Sequence, residues 1–208
     1  MVTVGLINHS TLMTEVELEP IRAALQVQVS RDFAPHYCDA KIGNDGDWKI
    51  FICDNSDQAG ALGYHSYDPT GTPVGFAFIA DDIKYGNKPS ITISHELLEM
   101  LADPGINLLA NGPGDIEYCY EVCDACEADQ FGYQIDGVWV SDFVLPAWFE
   151  SFQKHGPFDH MNHITKPFQL LTGGYIGYKK NGKFHQLMGA KAAKGSRRDR
   201  RTNSPGVQ

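Results

Sequence analysis

The segment Ser94-His95-Glu96-Leu97-Leu98-Glu99-Met100-Leu101-Ala102-Asp103-Pro104 limits the possible folds of this chain more than any other stretch. Ile91, Ile93, Leu97, Leu98, Met100 and Leu101 surround one histidine, two glutamates and an aspartate. A helix read here, from about Ser90 to Ala102, must therefore be covered on most sides, with its polar stripe facing a cleft. Pro104 ends it, because the residue before a proline is driven out of the helical region. Buried carboxylates need partners. His95 and Glu99, four residues apart, point the same way and can hold one metal ion between them. Glu96 lies about 100° further round the helix. There a carboxylate that is not a ligand still reaches a water beside the ion.

The flanking sequence supplies a sheet for this helix to pack on. Val2–Ile7 reads as a first strand, and Thr14-x-x-Glu17 has the form of a capping box opening a helix. That helix is expected to end near Leu25, where Leu25–Val29 begins to alternate apolar and polar like a half-buried strand. Trp48–Cys53 and Pro73–Ile79 read as further strands, with Gly60, Gly63, Pro69 and Gly71 marking loops between them. Downstream, Asp136-Gly137 and Asn181-Gly182 each sit between short alternating runs, the signature of type I′ hairpins. The layout is α+β: a mixed sheet packed on two main helices, then a hairpin-rich C-terminal portion.

The helix resembles the H-E-x-x-H helix of the zincin metallopeptidases with its second histidine changed to glutamate. His95, Glu96 and Glu99 carry the resemblance, with the glycine-containing Pro73–Ile79 strand before them and an acidic segment about twenty residues after. It implies a zincin-like fold in which His95 and Glu99 bind zinc and Glu96 is the general base. It also implies a peptide or protein substrate, held in extended form along the edge of the strand around Val74–Ile79. Glu121 is expected as the third ligand: it lies twenty-two residues past Glu99, near the interval at which glutamate-type zincins supply theirs. Asp124 is the alternative. One nitrogen and two or more oxygens also suit other divalent metals, calcium and manganese among them. Asp103 continues the stripe, but it stands ~12 Å from His95 along the axis, too far to share an ion. It is expected to orient the ligands from behind or to form a hinge at the helix end.

Zinc-dependent peptide hydrolysis by a metal-activated water is thus the first functional expectation. The second follows from Glu99, whose charge offsets part of the metal's and weakens its Lewis acidity. It is a catalytically weak or inactive zincin-like structural protein of a larger assembly, such as a phage virion, anchored by a basic tail. From Lys179 to Gln208 nine Lys or Arg stand against one Asp, a local +8 that leaves −17 on the first 178 residues. The acidic body is unsuited to nucleic acid, whereas the tail suits an acidic protein partner or a nucleic acid. The expected organisation is one metal-binding domain over 1–188 with the tail at 189–208. No apolar run approaches the ~20 residues of a membrane span, and no secretory signal opens the chain. The expected location is therefore the cytoplasm, or a virion assembled there. An odd count of five cysteines argues against a disulfide framework and for reduced thiols.

Overall fold

A computed structural model describes residues 1–58 and 60–191. Its N-terminal half is a five-stranded sheet in the order β2-β1-β3-β5-β4. The strands are β1 (Val2–Asn8), β2 (Ala40–Gly43), β3 (Trp48–Cys53), β4 (Gly63–Tyr67) and β5 (Pro73–Phe78). All neighbours pair parallel except β4, which runs antiparallel to β5 and forms one edge. Helix α1 (Glu15–Val27) opens on the expected capping box, with Thr14 and Glu17 satisfying each other's backbone N–H groups. A short helix α2 (Ile79–Tyr85) leads into α3 (Pro89–Ala102), which carries His95.

The second half is built from short antiparallel strands. β6 (Leu109–Asn111), β7 (Glu117–Cys119), β10 (Tyr175–Lys180) and β11 (Lys183–Met188) form a sheet in the order β11-β10-β7-β6. β8 (Tyr133–Ile135) and β9 (Val138–Val140) form a separate hairpin. Both expected turns have positive φ at their two central residues, 49° and 83° at Asp136-Gly137 and 51° and 76° at Asn181-Gly182. The described residues thus form an α+β structure with a mixed sheet and three α-helices. Among the described residues, no helix is long and apolar enough to cross a membrane.

Two sequence expectations fail. Leu25–Val29 is not a strand: α1 runs on to Val27 and continues as a π-helical segment, Gln28–Phe33. Leu25, Val29 and Phe33 recur every fourth residue and are fully buried. Gln28, the polar residue that made the stretch look alternating, is also fully buried, with its amide donating to Ser141 O at 2.8 Å and to Tyr133 OH at 3.2 Å. A buried, fully bonded glutamine mimics the polar half of a strand pattern. Nor is β5 the edge strand, since it lies between β3 and β4. The edge is β4, which falls within the stretch read as a loop.

The 192–208 part of the expected basic tail lies outside the described residues. Its first residues are anchored, with Gly189 N donating to Gly174 O at 2.8 Å and Ala190 O accepting from Gly173 N at 2.9 Å.

Candidate metal centre

Helix α3 is buried on every side from Ser90 to Leu101, so His95, Glu96 and Glu99 all lie inside the protein. On one side a polar lock fixes the helix: Ser94 Oγ donates to Gln28 Oε1 at 2.7 Å and accepts from Ser141 N at 3.0 Å. Elsewhere α3 borders a cavity of about 240 Å³, which Gly63, His65, His95, Glu96, Glu99, Glu121 and Asp124 help to line. Four strands wall it. β4 brings Gly63, Tyr64 and His65, while Cys119 of β7 and Tyr175, Gly177 and Gln186 of the β10–β11 hairpin close another side.

The lining contains four carboxylates, two imidazoles and, among the described residues, no lysine or arginine. His95 Nε2 lies 3.1 Å from Glu99 Oε2 and 3.3 Å from Asp124 Oδ1. Glu99 Oε1 accepts the Cys123 N–H at 3.1 Å, which fixes the carboxylate's orientation. His65 lies among the other acids: its Nδ1 is 3.9 Å from Glu96 Oε2 and 4.0 Å from Glu99 Oε2, and its Nε2 is 3.7 Å from Glu121 Oε2. Two sets of side chains bring ligand atoms within 4.8 Å of one another, His95–Glu99–Cys123 and His65–Glu96–Glu99, and they share Glu99.

Electrostatics reflect the crowding. Burial acts to deprotonate His95, but the charge of Glu99 and the Asp124 and Glu99 hydrogen bonds outweigh it and hold the imidazole pKa well above its usual value. Burial opposes the proton on His65 too, yet Glu96, then Glu121 and Glu99, raise that group to about 9. Glu121 is pushed well above the ordinary carboxylate range by burial and by the negative charge of Glu99. Burial, reinforced by Glu121 and Asp124, lifts the Cys119 thiol to about 11. The two imidazole shifts reflect the surrounding carboxylates, whereas those of Glu121 and Cys119 come first from burial.

Four of the expected site residues fall together at the cavity: His95, Glu96, Glu99 and Glu121. Asp124, the alternative ligand, joins them and stands nearer His95. Asp103 does not line the cavity. It caps α3, its N–H donating to Glu99 O at 2.9 Å, and its Oδ2 accepts from Leu108 N at 2.8 Å, so it shapes the turn after the helix. All five cysteines are free thiols. His160 stacks on Phe143 and faces Asp32, and His163 packs on Phe131, so both lie away from the cavity.

His65 was not legible as a site residue, because a single histidine in a glycine-bounded stretch matches no ligand spacing. Gly63 holds the clue. A Cβ there would lie 2.3 Å from Glu96 Oε1 and 2.6 Å from its Cδ, so the strand passes directly over the Glu96 carboxylate and tolerates no side chain. Gly63→Ala should leave the fold intact but displace Glu96. Under the function proposed below, in which Glu96 is the general base, a misplacement of about 1 Å can cost about 10²-fold in rate, so activity should fall by that order with metal content unchanged. Equal activity in the alanine variant would show that the Glu96 position is immaterial.

No protein-family model, curated protein or solved structure matches this chain.

Proposed function

We propose that this cavity is a divalent-metal centre that hydrolyses peptide bonds, with His95, Glu99 and Asp124 as ligands and Glu96 as general base. One observation carries the reading: His95 Nε2 stands 3.1 Å from Glu99 Oε2 and 3.3 Å from Asp124 Oδ1. Ligands bound at about 2.0–2.2 Å in a tetrahedron lie about 3.3–3.6 Å apart, so each of the two oxygens already stands from Nε2 at nearly the separation of two ligands on one ion. This spacing favours Asp124 over Glu121 as the third ligand. The carboxylate-rich lining, which among the described residues holds no lysine or arginine, suits a cation.

A divalent ion held there lowers the pKa of a water and polarises a carbonyl. The side chains do the rest. Glu96 takes the proton of the attacking water and delivers it to the leaving amine. β4, at the edge of its sheet, offers backbone groups to which an extended peptide can pair beside Glu96. The decisive experiment measures metal content and cleavage of an unfolded protein substrate in parallel. Glu96→Gln should retain the metal and lose activity by about 10²-fold or more. Metal bound without any cleavage in the wild-type chain would sink the enzyme reading. It would favour the structural alternative, to which the two ligand carboxylates lend weight because each weakens the ion as a Lewis acid.

A further inference from the structure

We propose that the cavity binds two divalent cations, the second held by His65 and Glu121. The inference rests on the metal-centre reading above and extends it to residues which that reading leaves without a task.

Two buried atoms of the cavity lack a hydrogen-bond partner among the described residues, His65 Nε2 and Glu121 Oε2. They face each other at 3.7 Å, and their side chains are only 6 % and 20 % exposed. An imidazole nitrogen and a carboxylate oxygen at that separation need close by only tenths of an ångström to share one ion. The tautomer is consistent. His65 Nδ1 faces Glu96 and Glu99, so a proton on Nδ1 points at carboxylate and leaves the Nε2 lone pair for the metal. Metal-bound histidines almost always have their other nitrogen held in this way.

The test is the number of ions bound. Metal-free protein titrated with Mn²⁺ alone, or with Zn²⁺ alone, should saturate at two ions per chain, read by calorimetry and by elemental analysis after gel filtration. Glu121→Gln, which keeps the side chain's shape, and His65→Ala should each bind one ion. Circular dichroism melting curves of both variants would establish that they fold. Saturation of the wild type at one ion, or two ions retained in both variants, overturns the second site while the His95 centre stands. Failure of the wild type to bind any ion overturns both readings.

Discussion

Stripping divalent metal from the protein should lower its melting temperature by about 8–16 °C relative to protein held with zinc at about a thousand times its dissociation constant. At that excess, mass action adds about 4 kcal/mol to the folded state. In a chain of this size each kcal/mol is worth about 2–4 °C. The direction follows from what the fold buries. Glu96, Glu99 and Asp124 are almost wholly excluded from solvent around one cavity, and the described lining offers no fixed positive charge. Without a cation the folded chain must hold these acids together, whereas the unfolded chain hydrates them separately. Differential scanning calorimetry in chelator and in zinc measures the gap. His95→Ala is the control: it should lose most of the metal response. A wild-type melting curve indifferent to chelator would mean that protons on the imidazoles suffice to balance the pocket, and the metal reading would be wrong.

Several parts of this molecule could be read from local chemistry, and others could not. The capping box at Thr14, the two hairpins at Asp136-Gly137 and Asn181-Gly182, and the burial of α3 each depend on residues within a few positions of one another. The His95–Glu99 pair is local in the same sense, since four residues on a helix are one turn. What the sequence hid depends on tertiary approach. β4 looked like a loop because it opens on Gly63, and Gly63 is there because Glu96 occupies the space of its Cβ. His65 enters the cavity only because β4 is the strand beside α3. The choice between Glu121 and Asp124 turns on how the chain bends after β7. There Cys123 N–H binds Glu99, Asp124 comes beside His95 and Glu121 beside His65. Spacing along the sequence carries no information about that bend.

A second buried acid site, apart from the proposed metal centre, should govern the alkaline side of the stability profile, and Asp142→Asn should flatten it. Asp142 and Asp159 are both fully buried, and each is tied to the backbone. Asp142 Oδ1 accepts from Phe143 N at 2.8 Å and Met161 N at 3.2 Å, and Asp159 accepts from His163 N at 2.8 Å and Ile164 N at 2.9 Å. Burial above all, then the hydrogen bond to Asp159 and its charge, raise the Asp142 carboxyl to about 9. At neutral pH Asp142 therefore keeps its proton and donates it to Asp159, with the thiols of Cys123 and Cys126 and the Tyr133 hydroxyl also nearby and uncharged. An unfolded aspartate titrates near ~3.9. Between that pH and about 9 the folded chain holds one more proton than the unfolded chain. The contribution of this group is fully present below pH ~4 and declines as pH rises, by up to about 1.4 kcal/mol per unit. Asparagine donates from Nδ2 without needing that proton, and its Oδ1 can still accept from Phe143 and Met161. The variant should thus match the wild type near pH 4 and exceed it at pH 8 by on the order of 5 kcal/mol. Urea unfolding of both proteins at pH 4, 6 and 8 isolates the effect, because every other titrating group is common to the two curves. Parallel pH profiles for the two proteins would mean that Asp142 is ionised in the folded state and that no proton is shared with Asp159.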